Sequence, residues 1–137
     1  MLAWLRRLRT APQAPLTGVP AVRRLKSYSA ASGFVYQYVY EGQRPAVPEG
    51  EPGTEYVFGV SADRRTWSSV RVFLGAAPLE GWQRDHAREL NSTERYAVAK
   101  MVLFQAFDER ASPAAMCNPV SVRPADLTAI AQQLGFI

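Results

Sequence analysis

Two side chains in this sequence are suited to proton transfer or nucleophilic attack near neutral pH, and each occurs once: His86 and Cys117. A hydrolytic triad would have to be built on His86, and a histidine metal cluster has no second imidazole to use. His86 falls on a helical stripe with Leu79, Trp82 and Leu90, which reads as packing. Cys117 has no histidine near it in sequence to lower its pKa, and reads as a small loop residue. The acids pair no better. Asp85 and Glu89 lie on one helix face and Asp108 adjoins Glu109, but Arg84, Arg88 and Arg110 interleave with them as on a solvated helix surface. No GxSxG, phosphate-binding GK[ST] or dinucleotide GxGxxG pattern is present. The expectation is a protein without catalytic residues, metal or cofactor.

A binding role has more to work with. In "SGFVYQYVYEG", Phe34, Tyr36, Tyr38 and Tyr40 take every second position, with Val35, Gln37 and Val39 between them. Alternation along a strand puts the rings on one face and the aliphatic residues on the other. Downstream, "EYVFGVSA" and "TWSSVRVFLG" read as two strands of a hairpin around "DRR". Helices on one side of such a sheet would find natural seats on the aliphatic sets, including Val70, Val72 and Leu74. The remaining face is then expected to display Tyr36, Tyr38 and Tyr40 beside Trp67, Arg71 and Phe73. Tyr, Trp and Arg are the residue types favoured where proteins meet partners.

Charge adds a second docking element. The formal net charge is +4, and it is unevenly placed: residues 1–40 hold six cations and no acid, leaving ten cations and twelve acids, a net −2, in residues 41–137. Residues 1–9 form an expected amphipathic helix with Met1, Trp4, Leu5 and Leu8 on one side and Arg6, Arg7 and Arg9 on the other. A helix this short is marginal alone and needs a surface to lie on. Pro12, Pro15 and Pro20 follow in an extended tether. Residues 1–25 are thus expected as a basic arm and 26–137 as a single domain.

The elements that must position these groups follow in order. A strand over 33–40 precedes a loop rich in Pro and Gly, "EGQRPAVPEGEPGT", then the hairpin. Pro78 opens a helix running to about Leu90. Asn91 and Glu94 make the start of a second helix, 92–110, a capping box, and its middle is apolar nearly all round, as a buried helix should be. "VSV" at 120–122 allows a short strand, and Pro124 with Asp126 starts a last helix that ends at Gly135. The expected fold is α+β: a three-stranded antiparallel meander packed on one face by a central buried helix with two flanking helices, in the order βββαα(β)α.

These observations point to a noncatalytic accessory protein that docks on a protein partner or larger complex through its arm and an aromatic sheet face. The alternative is nucleic-acid binding, with the basic arm on phosphates and tyrosines stacking on bases; the acidic balance of residues 41–137 speaks against it. The arm is also compatible with peripheral contact to an anionic membrane. A single cysteine fits a reducing compartment, and no apolar run reaches the roughly 18 residues a membrane span needs. The N-terminus has its charge after a very short apolar run, the wrong order for a secretory signal, so a bacterial cytoplasmic protein is expected.

Overall fold

The computed structural model describes residues 13–137. The expected helix of residues 1–9, with Trp4, Leu5, Arg6, Arg7, Leu8 and Arg9, lies outside the described residues. The chain runs β1 (Lys26–Ser29), β2 (Val35–Ala46), β3 (Gly53–Ser61), β4 (Ser68–Gly75), α1 (Ala76–His86), α2 (Ser92–Glu109), β5 (Val120–Ser121) and α3 (Pro124–Gln133). The protein is therefore α+β, with five strands in the spatial order β1-β2-β3-β4-β5. The first four are antiparallel neighbours, and β5 returns parallel to β4 after α1 and α2.

The three-stranded expectation falls short at both edges. β1, "KSYS", is too short and polar to read as a strand alone; it exists because Lys26 and Tyr28 pair with Tyr38 and Tyr36. β5 is only two residues long and is held by Val72 and Phe73. β2 also continues to Ala46, through part of the segment expected as loop. The register shifts between Tyr40 and Gly42, a bulge that carries the strand into its second half. Gly42 has φ +129, and a side chain there would press on the Thr17 carbonyl at 2.8 Å. Thr17 rejoins the sheet edge at this point, exchanging backbone hydrogen bonds of 2.7 and 2.9 Å with Gln43.

α2 starts at the expected capping box: the Glu94 amide donates to Asn91 Oδ1 at 2.8 Å, and the Asn91 amide donates to Glu94 Oε1 at 3.0 Å. Val98, Ala99, Val102, Leu103, Ala106 and Phe107 are buried along it. α1 ends at His86, short of the expected Leu90, because Ala87 turns into the left-handed region at φ 50. Leu90 is buried beyond that turn, its amide donating to Gln83 Oε1 at 2.9 Å.

One expectation about the faces is overturned. The registers Tyr40↔Phe58↔Val70 and Tyr56↔Val72 place the tyrosine row on the same face as Val70, Val72 and Leu74. Tyr36, Tyr38 and Tyr40 therefore look toward the helices and away from Arg71 and Phe73. Tyr36 and Tyr38 are 0 and 5% exposed. The physical reason is the ring content of α2. Phe107 stacks on Tyr36 at 4.2 Å between centroids, Phe104 stacks on Tyr28 at 4.3 Å and meets Tyr38 edge-on at 5.5 Å, and Tyr96 packs on Tyr40 at 4.6 Å. Offset and edge-to-face ring pairs gain energy beyond their buried area. An aromatic strand row and an aromatic helix row are thus best satisfied by each other.

Candidate functional site

Of the groups singled out for chemistry, Asp108 and His86 have structural partners. Asp108 accepts hydrogen bonds from the Tyr28 hydroxyl at 2.7 Å and the Ala31 amide at 2.8 Å, tying β1 and its turn to the end of α2. That bond to Asp108, with burial, pushes the Tyr28 phenol above its ordinary pKa. His86 Nδ1 lies 2.8 Å from the Trp82 carbonyl, so that nitrogen donates, and the imidazole stacks on the Trp82 indole at 4.4 Å. Cys117 is exposed. Among the described residues no group of three His, Cys, Asp or Glu side chains is placed to hold a metal ion.

The buried tyrosines have the electrostatics of a core. Burial pushes Tyr40 up to about 12, helped by the charges that neighbouring Tyr56 and Tyr96 would carry. Burial likewise raises Tyr36, Tyr38, Tyr56 and Tyr96. Most telling is the Tyr36 hydroxyl, buried and without a hydrogen-bonding partner among the described residues.

With α1, α2 and α3 gathered on the inner face, the outer face of the sheet is the one that no helix of the described residues covers. Along it stand Val35, Gln37, Val39 and Glu41 of β2, Glu55, Val57 and Gly59 of β3, and Ser69, Arg71 and Phe73 of β4. Val39 and Val57 are buried without belonging to the main core cluster. Beside them, Leu25, Val35 and Trp67 are 59, 50 and 43% exposed. Leu25, Val39 and Trp67, with Arg23 and Glu41, line a hollow of about 380 Å³. Gly59 leaves room for the Glu41 side chain: a Cβ there would collide with the Glu41 carboxylate, which pairs with Arg23 at 3.2 Å. Arg44 and Glu55 pair at 2.9 Å farther along the same face. Among the described residues Arg71, half-buried opposite Val57, makes no ion pair.

Of the residues expected to meet a partner, Trp67 and Arg71 thus share the outer face, while Tyr36, Tyr38 and Tyr40 lie on the other. Leu25, Val35 and Val39 join the outer patch unforeseen; the alternation of β2 contains them, once the register fixes which face is open.

A second concavity, about 580 Å³, lies at the end of the sheet where the β3–β4 connection meets the 3₁₀ turn Pro113–Cys117. Phe34, Tyr36, Val60, Ala62, Pro113 and Ala114 supply its apolar wall, and Ser61, Asp63, Thr66, Ser68 and Cys117 its polar one. Asp63 is fixed there by its own turn, with Oδ1 accepting from the Thr66 and Arg65 amides at 2.8 Å each and from the Ser61 hydroxyl at 3.1 Å. The backbone donors of Thr66 and Arg65 hold its carboxyl below the usual range, so it is ionised near neutral pH. Nothing in the sequence marks this cavity, which is assembled from three separate segments.

No known family, curated protein or solved structure matches this chain.

Proposed function

We propose that this is a noncatalytic accessory protein that docks a protein partner against the outer face of its sheet. The observation that carries the reading is the sheet face that no helix of the described residues covers, on which Leu25, Val35 and Trp67 are exposed and Arg71 makes no ion pair among the described residues. Contiguous apolar surface edged by polar groups is where proteins associate, and Trp and Arg are the types that most often anchor such contacts. The fitting partner presents an apolar ridge for the Leu25–Trp67 hollow and a carboxylate for Arg71. Residues 1–9, with Trp4, Leu5 and Leu8 beside Arg6, Arg7 and Arg9, add a second contact to the partner or to an anionic membrane surface. No helix among the described residues is long and apolar enough to cross a membrane. The protein is proposed to act in the cytoplasm.

Charge favours a protein over a nucleic acid. Arg23 and Arg44 on this face are each matched by a glutamate, which leaves Arg71 as its one cation outside an ion pair among the described residues. Phosphate backbones are gripped by several cations at once. The buried tyrosine row is also withdrawn from stacking on bases.

The test is affinity purification from the native source with the full chain and with a Trp67→Ala/Arg71→Glu variant. The expected result is one protein held stoichiometrically by the wild type and lost from the variant, with the circular-dichroism spectrum and urea midpoint of the variant unchanged. Retention of that partner by the variant would remove the outer face from the proposal. Nucleic acid in the eluate, released steeply by salt, would put nucleic-acid binding in its place.

A further inference from the structure

The cavity at the end of the sheet is remote in role from the proposed docking face, and its wall has a chemistry of its own. A volume of about 580 Å³ is within the range of small-ligand sites. Its depth is apolar: Val60 and Tyr36 are 3 and 0% exposed, and the Phe34 ring lies 6.3 Å from that of Tyr36. The wall carries one ionised side chain. Asp63, at the exposed rim, has Oδ1 engaged by its turn and retains acceptor capacity on its carboxylate. No Lys, Arg or His contributes to the wall; Arg64 and Arg65 follow Asp63 in the turn without lining the cavity.

We propose that this cavity is a binding site for a small organic amine, an aryl or alkyl body carrying a protonated nitrogen. The body packs between Phe34, Val60 and Pro113, and the ammonium is held by Asp63. A carboxylate with no cation beside it on the wall rejects anions, and aromatic faces close to the site favour the cation further. An organic anion of the same shape would bring a second negative charge to Asp63 and find no cation on the wall. The site therefore discriminates by the sign of charge.

The experiment is a titration of the ¹⁵N-labelled full chain with three probes of nearly equal size: 2-phenylethylamine, 2-phenylethanol and 3-phenylpropionate. The amine is expected to shift the amides of residues 61–66 and 113–117 and to bind about tenfold more tightly than the acid, the usual worth of one charge-assisted contact. Asp63→Asn leaves an amide oxygen able to accept from the Arg65 and Thr66 backbone, so the turn is kept, and it should bring the three affinities together. The proposal is overturned if the wild-type chain binds all three equally, if the amine shifts no amides around the cavity at millimolar concentration, or if the amine preference survives in Asp63→Asn. The wild-type probe series decides the matter even if the variant fails to fold.

Discussion

Removing the hydroxyl from Tyr28 and from Tyr36 is the same chemical change at two neighbouring sites, yet the structure predicts opposite effects on stability. Tyr28 donates to Asp108 Oδ2 at 2.7 Å in a half-buried setting. A hydrogen bond to an ionised acceptor contributes about 1.5–3 kcal/mol, and partial exposure brings the expected loss in Tyr28→Phe to about 1–2 kcal/mol. Tyr36 is 0% exposed and its hydroxyl has no partner among the described residues. A buried polar group left unsatisfied costs roughly 1–3 kcal/mol, part of which Tyr36→Phe forfeits again as lost contacts of one oxygen, so a gain of about 1 kcal/mol is expected. Both variants keep their rings, and with them the stacking on Phe104 and Phe107. Urea denaturation followed by far-ultraviolet circular dichroism reads the difference. With an m-value of about 1–3 kcal/mol/M, a change of 1 kcal/mol displaces the midpoint by about 0.3–1 M. The Tyr36 variant should move up and the Tyr28 variant down. A loss in Tyr36→Phe as large as that in Tyr28→Phe would mean the Tyr36 hydroxyl is satisfied after all, and the reasoning from its burial would fall.

Three other expectations are directly measurable. Phe107→Ala should cost about 3–5 kcal/mol in chemical denaturation, more than Phe104→Ala, because Phe107 is 0% exposed while Phe104 is only half-buried. Asn91→Ala removes the acceptor for the Glu94 amide at the start of α2 and should lower stability by about 1 kcal/mol, readable as a shift in Tm. Stability should be insensitive to these phenols below pH 10 and fall as the pH rises from 10 toward about 12, since the folded state keeps Tyr40 protonated to about 12 while the unfolded chain releases its proton near the ordinary value of 10.0. Tyrosinate absorbance and loss of circular dichroism should then rise together; titration of all the tyrosines at pH 10 with the fold intact would contradict this.

How far such features can be read from the amino-acid order depends on whether their cause is local. The start of α2 could be read because its cap is made of Asn91 and Glu94, three residues apart, and its burial because apolar residues surround it. β2 could be recognised from its alternation, but the alternation leaves open which face is inside, since Val35 and Val39 are as apolar as the rings are bulky. The deciding signal sits far away, in the rings Tyr96, Phe104 and Phe107 on α2, which need flat partners. β1 and β5 have too few residues to announce themselves; their pairing with β2 and β4 is what makes them strands. The outer patch was half legible, through Trp67 and Arg71, because its other members depend on the same choice of face. The cavity had no local signature at all: Phe34, Asp63 and Pro113 meet only after the sheet and α2 have set their separation.

The edges of the sheet constrain how this protein meets anything else. A long unpaired strand invites another chain to continue the ladder, whether a partner peptide or a copy of the same protein stacking toward a fibre. Here the chain first touches the edge of β2 at Thr17, swings out and returns as the four-residue β1, and on the other side β5 covers two residues of β4. Among the described residues the runs left without a strand neighbour, Val39–Gly42 of β2, Ser68–Arg71 of β4 and the outer side of β1, are no more than four residues long, which offers an added strand only a short ladder. Recognition is left to side chains standing up from the sheet, which makes association specific to the partner's surface shape and, in a crowded cell at high expression, keeps the folded protein from seeding its own polymerisation.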